Sequence, residues 1–248
     1  MTYRIVIPIS GGKDSQACLQ LACAAHARHE ILGLFCDTNF EHPKTYAHVE
    51  FMRKFYGVKI QSITAGSVLE KVWKYRRFPG GGARHCTDEL KIVPSRKFYK
   101  ELAENQGHGF EVWYGMRLGE STERAKRYRD RIDNELYLPH EVLRKYPKYL
   151  GDMGIRFKLP LLEWDNVDVL EFLDGKENPL YRDGFDRVGC FPCLASGDAH
   201  KERAFAYDEF GRMQAVSVQF VSIHIGKSVW TSKAGKARND GGCAVCQI

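Results

Sequence analysis

The run SGGKDS at residues 10–15 has the composition of a phosphate-binding loop. Its two glycines can adopt positive φ angles and let the backbone approach an anion closely, while the amides of a helix starting there would point at that anion. Asp14 beside a phosphate indicates a helix cap or a ligand of Mg²⁺. Taken alone, a glycine pair between strand and helix is equally typical of a tight turn. The residues that the phosphate hypothesis assigns are Ser10, Gly11, Gly12, Lys13, Asp14 and Ser15.

The common nucleotide-binding patterns are absent from this loop. Its glycines are adjacent and Lys13 follows them directly, so the spacing fits neither the P-loop of Walker-type NTPases nor the G-x-G-x-x-G dinucleotide fingerprint. The loop therefore predicts another class of phosphate site.

Two C-x-x-C pairs form a second group of residues with chemical potential. Cys190 and Cys193 form one pair, and Cys243 and Cys246 form the other. Thiolates are soft ligands that bind zinc and iron–sulfur clusters, so the two pairs together are stronger evidence for a metal site than one pair alone. Three other cysteines, Cys18, Cys23 and Cys36, fall among apolar residues and are predicted to be small buried hydrophobes.

Strands and helices must alternate to position these residues. Apolar segments predict strands at 3–9, 31–37, 58–63, 111–117 and 155–162, and helical spacing predicts helices at 14–29, 42–57, 93–105 and 164–175. This order predicts an α/β fold with a doubly wound, mostly parallel sheet, and a C-terminal cap that carries cysteines.

We expect a nucleotide-binding domain at 1–175 and a cap and tail at 176–248. Residues 10–15 and 36–39 should line one crevice at the carboxyl ends of the strands.

Composition indicates one elaborated domain, or one domain with a lid. The chain has 248 residues, of which 44% are hydrophobic and 27% charged. No apolar run is long enough for a membrane span and no secretory signal is visible, so we expect a cytoplasmic protein with reduced cysteines and no membrane partner. The net charge of +6 suits polyanionic ligands.

Five ordered segments resemble the motifs of one superfamily. They are SGGKDS, FCDTNFEHPKTYAHV at 35–49, HCTDELKIVPSRKF at 85–98, YGMRLGESTERAKR at 114–127, and LPLLEWDNVDVLEFL at 159–173 with NPLYRDGFDRVGCFPC at 178–193. They are similar to the PP-loop N-type ATP pyrophosphatases and the phosphoadenylyl-sulfate (PAPS) reductases, which have an adenine nucleotide alpha-hydrolase-like fold. The resemblance extends over residues 4–193, and the tail from about residue 200 has no counterpart in it.

The resemblance implies an adenine nucleotide in the crevice. Its phosphates would lie on residues 10–15 and its adenosine near Asp37 and Thr38. Arg117 and Arg124 would face the phosphates, where they would act with Lys13 and Asp14 in catalysis. Further residues that match motif positions, and are thereby implied to contact the nucleotide, are Lys91, Gly115 and Arg187.

The family also places Cys86 near the crevice. The preferred interpretation is a 4Fe-4S cluster on Cys86, Cys190 and Cys193, with Cys243 or Cys246 as the fourth ligand. Structural Zn²⁺ on the same residues is the main alternative, and flexible free thiols in the tail are another.

Members of this superfamily divide between two chemistries. One group cleaves ATP to AMP and pyrophosphate and adenylates an acceptor, and the other reduces adenylyl sulfate or PAPS with a thiol. The complete loop, and the absence of the reductases' terminal E-C-G-L/I-H segment, favour ATP with Mg²⁺ and iron–sulfur-assisted sulfur transfer to nucleic acid. A thiol-dependent reductase and a non-catalytic nucleotide-binding accessory protein remain the alternatives.

The partners implied are tRNA or DNA, a cysteine desulfurase or other sulfur donor, and a second copy in a homodimer.

The basic segment at 120–131 has two interpretations. Five cations lie within eight positions from Arg124 to Arg131, which is suitable for a nucleic-acid backbone. Acidic residues are interleaved with them, which is more typical of a solvated helix face.

Overall fold

A parallel β-sheet of five strands forms the centre of the computed structural model, which describes residues 2–80, 84–120, 122–129, 131 and 135–230. The strands are β1 (Ile5–Ile9), β2 (Ile31–Asp37), β3 (Lys59–Thr64), β4 (Glu111–Trp113) and β5 (Arg156–Lys158). Their order is β3-β2-β1-β4-β5, and every adjacent pair is parallel. The predicted α/β class and parallel sheet are confirmed.

Helices connect the strands and cover both faces of the sheet. None of those described is long and apolar enough to cross a membrane. The helices are α1 (Lys13–Ala25), α2 (Pro43–Tyr56), α3 (Val68–Tyr75), α4 (His85–Thr87), α5 (Val93–Gln106), α6 (Thr122–Tyr128), α7 (Pro139–Val142), α8 (Tyr149–Asp152), α9 (Asn166–Leu173), α10 (Asp198–Tyr207) and α11 (Glu209–Ile225).

Local signals determine where the second helix begins and ends. The His42 side chain accepts a hydrogen bond from the Lys44 amide, and Pro43 occupies the first turn of α2. Gly57 ends the helix in the left-handed region at φ +62°. The helix predicted at 42–57 is confirmed at Pro43–Tyr56, and these two caps explain where it begins and ends.

The last two strands are shorter than predicted. The segments 111–117 and 155–162 contribute only three sheet residues each, at Glu111–Trp113 and Arg156–Lys158. Pro160 has no amide hydrogen to donate, which limits extension of β5. Beyond β4 the chain bends toward α1, where Gly115 packs so closely that a Cβ atom on it would lie 2.7 Å from the Asp14 carbonyl oxygen.

Side chains that alternate along β1 form two cores. Ile5, Ile7 and Ile9 pack against α1 and α2, and Val6 faces the opposite core. Cys18, Cys23 and Cys36 are buried free thiols, as predicted.

Two helices, α10 and α11, form the C-terminal segment that has no counterpart in the superfamily motifs. α11 packs its buried residues Val218, Val221 and Ile225 in one hydrophobic cluster with Val72 of α3. Asp208, the N-cap of α11, accepts a hydrogen bond from Gly211 and lies 2.8 Å from Nε2 of the buried His42. This pair attaches the helical cap to the loop that follows β2.

Candidate functional site

The predicted phosphate loop lies between β1 and α1, where the strand order reverses between β1 and β4. This is the position at which doubly wound sheets bind ligands. Gly11 has φ +74°, and a Cβ atom on it would lie only 2.5 Å from Thr45 Cγ2. The Ser15 hydroxyl accepts a hydrogen bond from the Ser10 amide and donates one to the Gly12 carbonyl. The loop is thus a closed turn that admits no side chain at Gly11.

A second segment, Asn178 to Tyr181, clamps the loop. The Asn178 side-chain amide donates to the Gly11 carbonyl at 3.0 Å, and the Tyr181 hydroxyl accepts from the Lys13 amide at 3.1 Å. Asn178 is fully buried. Neither side chain was assigned to the site from sequence, although both belong to the quoted NPLY motif, which was the signal available.

Asp14 is held by a buried ion pair. Arg117 Nε donates to Asp14 Oδ1 at 2.7 Å, and Arg117 Nη2 donates to Asn166 Oδ1 at 2.8 Å. Asn166 is the first residue of α9, directly after the N-cap Asp165. Lys13 Nζ lies 3.6 Å from the other Asp14 oxygen, and burial lowers the pKa of the lysine. Arg117 therefore orients the carboxylate as well as lining the cleft.

An open cleft of about 340 Å³ lies in front of this loop. We call it the phosphate cleft. On the loop side it is lined by Ser10, Gly12, Lys13, Asp14, Arg117 and Arg124, and on the opposite side by Asp186, Arg187, Ser196, Gly197 and His200.

His200 is a cleft residue that sequence reasoning missed. It lies in the first turn of α10, with its Nδ1 atom 4.0 Å from Asp186 Oδ1. Burial lowers the pKa of the imidazole, so the side chain is neutral at pH 7. No sequence motif indicated His200, because it lies beyond the segments that resemble the superfamily motifs.

A second cavity lies beside the phosphate cleft and is lined by three of the predicted cysteines. We call it the cysteine cavity. Arg187 lines both cavities and so lies between them. The residues that line the cysteine cavity include Thr38, Arg84, Cys86, Lys91, Arg187, Cys190 and Cys193. The crevice expected from sequence is therefore divided, with Thr38 and Lys91 on the cysteine side.

Backbone pairing positions Cys190. It forms an antiparallel bridge with Glu41, and the Phe191 amide donates to the Phe40 carbonyl at 2.7 Å. Cys190 Sγ lies 3.3 Å from Thr38 Oγ1 and 4.0 Å from Glu41 Oε1. Burial, and then the Glu41 carboxylate, raises the pKa of Cys190 to about 12. The partly buried thiol therefore lies against the chain just after β2.

Three of the predicted metal ligands, Cys86, Cys190 and Cys193, line the cysteine cavity. Within the described ranges, no group of three His, Cys, Asp or Glu side chains is arranged to hold one metal ion. One zinc ion would bring its ligand sulfurs to within about 4 Å of each other, given Zn–S bonds of 2.3 Å. In a cluster each iron takes its own thiolate, so the ligands lie further apart. Cys86, Cys190 and Cys193 around one cavity with three cationic side chains fit an anionic cluster. Cys243 and Cys246 lie outside the described residues.

Of the remaining predicted residues, Arg124 lines the phosphate cleft, whereas Asp37 lines neither cavity. Arg124 is buried, pairs with Glu120 and lines the phosphate cleft. Asp37, at the end of β2, accepts hydrogen bonds from the Tyr46 hydroxyl and the Asn39 amide. In the basic segment, the cations with exposed side chains are Lys126, Arg127 and Arg129.

Comparison with known proteins identifies the family. Residues 4–196 match the model of the phosphoadenosine phosphosulfate reductase domain. The chain belongs to this family. The match contains the phosphate loop, Cys86, Cys190 and Cys193, whereas His200 and the helices α10 and α11 lie beyond it.

Relatives of this reductase-domain chain include proteins of different sizes. An uncharacterised protein of Methanocaldococcus jannaschii is 31% identical over 194 residues, which cover 77% of this chain but only 36% of that protein. A phosphoadenosine 5'-phosphosulfate reductase of Salmonella schwarzengrund is 23% identical over 205 residues, covering 79% of this chain and 70% of the reductase. Among solved structures, the U34-tRNA thiolase of Methanococcus maripaludis with its 4Fe-4S cluster is 14% identical, with a TM-score of 0.48 over 99% of this chain and 80% of the thiolase.

The packing at Gly11 predicts a specific steric effect. Gly11 and Gly107 have nearly equal φ angles of +74° and +73°, but nothing lies within 4 Å of a Cβ atom on Gly107. Both Gly→Ala substitutions impose the same backbone strain, and only Gly11→Ala also collides with Thr45. We expect Gly11→Ala to lower the free energy of unfolding by about 1–3 kcal/mol more than Gly107→Ala, as overpacking does. Chemical denaturation of both variants measures this difference.

Thr45→Ser provides the control, because it removes the colliding methyl group. In that background the two alanine substitutions should cost similar free energies. Equal destabilisation in the wild-type background would contradict the close approach.

Proposed function

We propose that this chain binds ATP with Mg²⁺ in the phosphate cleft, cleaves it between the α and β phosphates, and adenylates an acceptor. The observation that carries the proposal is the complete phosphate loop, closed by Asn178 and fronted by the Asp14–Arg117 pair on an open cleft. A triphosphate needs such a loop, since its departing pyrophosphate has to be bound and its charge neutralised.

Lys13, Asp14 and the backbone amides at the start of α1 each have a role in this reaction. A nucleophilic oxygen of the acceptor attacks the α phosphorus, and the bond to the bridging oxygen of pyrophosphate breaks. The negative charge on the leaving group is stabilised by Lys13 and by the amides at the start of α1. Asp14, oriented by Arg117, would supply an oxygen ligand to Mg²⁺.

The neighbouring cysteine cavity supports sulfur transfer as the second half-reaction. Sulfide, supplied as such by a donor or released from the persulfide of a cysteine desulfurase by a two-electron thiol reductant, would attack the adenylated carbon, forming a C–S bond while AMP leaves with the oxygen. A 4Fe-4S cluster on Cys86, Cys190 and Cys193, with Cys243 or Cys246, would supply a soft metal for sulfur. Arg187 borders both cavities, so one acceptor could reach both reagents.

A nucleic acid is the acceptor class that we propose. Lys126, Arg127 and Arg129 are exposed on and just after α6. Arg124 of the same helix, and Glu120 just before it, line the phosphate cleft. Exposed cations beside a reaction cleft suit a phosphate backbone. tRNA and DNA both present this backbone and nucleobase carbonyl groups.

Reduction of a sulfonucleotide is the second candidate. The family match and the Salmonella phosphosulfate reductase favour it. In that reaction a cysteine thiolate would attack the sulfate sulfur, and the nucleotide would depart with the bridging oxygen. Release of sulfite after reduction by a second thiol would identify this activity.

Product analysis tests the proposed reaction. Anaerobically purified protein, incubated with ATP, Mg²⁺, sulfide and either total tRNA or plasmid DNA, should form AMP and pyrophosphate in equal amounts. Lys13→Ala should weaken ATP binding by about 10- to 100-fold, because a charge-assisted hydrogen bond contributes about 1.5–3 kcal/mol. Lys100→Ala, at a half-exposed surface lysine on α5, is the matched control and should bind ATP like the wild type.

Formation of ADP and phosphate, or no AMP with either nucleic acid, would contradict the proposal. Equal ATP affinity for Lys13→Ala and Lys100→Ala would show that Lys13 of the loop does not contribute to nucleotide binding.

The cysteine assignment has its own test. Cys190→Ser, purified without oxygen, should lose most of its bound iron and the visible absorbance of a cluster, because a ligand is removed. Cys23→Ser is the matched control, since Cys23 packs among apolar residues of α1, and it should retain wild-type iron content. Metal analysis of both variants and the wild type measures iron and zinc together. Unchanged iron content in Cys190→Ser would show that this residue is not a ligand.

A further inference from the structure

An apolar stripe runs along the solvent side of α11. Met213, Val216, Phe220 and Ile223 are 56%, 70%, 57% and 68% exposed. Their spacing of three, four and three residues is the a/d spacing of a coiled-coil seam. Trp73 of α3 extends the stripe, with its ring 6.4 Å from that of Phe220 and nearly parallel to it. Apolar surface of this extent on one helix face is typical of an interface.

The part of α11 that carries the stripe is uncharged. Residues 213–226, MQAVSVQFVSIHIG, contain no Lys, Arg, Asp or Glu. The solvent faces of the other long helices carry charged pairs, such as Arg53 with Glu50 on α2 and Lys97 with Glu101 on α5. A helix face that met only water would be expected to resemble those. A neutral face can also meet its own copy without like charges opposing each other.

The order of side chains in the stripe is self-complementary. A two-fold axis through residue 218, with the helices antiparallel, places Met213 opposite the partner's Ile223 and Val216 opposite the partner's Phe220. Each pair joins one larger and one smaller or more flexible side chain, which allows close packing. Two-fold symmetry requires such a patch, since each surface must fit itself.

We infer that the α11 stripe is the interface of a homodimer, in which two copies of α11 pack antiparallel about residue 218. The occupant is a second copy of this chain, because the face is neutral, apolar and matched to itself in this register. The inference does not depend on the nucleotide reaction, and its test needs no substrate.

Light scattering over a concentration series of the full chain tests the interface. The wild type should show twice the chain mass of 28.4 kDa. Phe220→Glu should raise the dimer dissociation constant by about 30-fold or more, as expected for loss of a central aromatic anchor. Phe55→Glu is the matched control, an equally drastic change at a 52% exposed aromatic on α2, and should stay dimeric. Circular dichroism checks that both variants are folded.

Mixed variants test the register. Val216→Lys alone should weaken the dimer, and a mixture with Phe220→Glu should restore it, because the antiparallel register places the two opposite charges together. A wild type that is monomeric at all concentrations overturns the inference. That result is expected if residues 231–248 or another protein cover the stripe. A dimer that survives Phe220→Glu, or a mixture that stays monomeric, overturns this interface or this register.

Discussion

The site depends on one tight turn at Gly11. Its positive φ angle and its packing against Thr45 leave no space for a side chain, and the Asn178 amide fixes its carbonyl. Because Asn178 lies far along the chain from Gly11, the turn closes only when the segment after α9 has folded onto β1 and α2. The amides at the start of α1 follow directly from this turn, and the Tyr181 hydroxyl accepts from one of them, that of Lys13.

Contacts near the boundary between the phosphate cleft and the cysteine cavity position Cys190. Thr38, at the end of β2, contacts both Glu41 and Cys190, and Arg187 borders both spaces. Cys190 is held by backbone pairing with the loop after β2, so the parallel sheet positions the thiol as well as the phosphate loop. In the proposed reaction, the nucleotide and the soft metal would lie on either side of Arg187.

Much of this arrangement could be predicted from the sequence. Buried strands, glycine stops and the Pro43 start each have strong local signals, and the helices and strands up to β3 follow them. The clamp by Asn178 could not, because it is a contact between distant segments. Helix α11 was missed because its centre, AVSVQFVSI, is rich in β-branched residues and carries two apolar faces, one on α3 and one exposed. His200 had no motif, and only the packing of α10 brings it to the cleft.

Calorimetry that compares ATP with phosphoadenylyl sulfate, on protein purified anaerobically, tests the central claim most directly. The proposed function predicts tighter binding of ATP with Mg²⁺, because in it the loop holds the pyrophosphate portion of the nucleotide. Tighter binding of the sulfonucleotide would contradict the account and would assign the cleft to sulfate reduction.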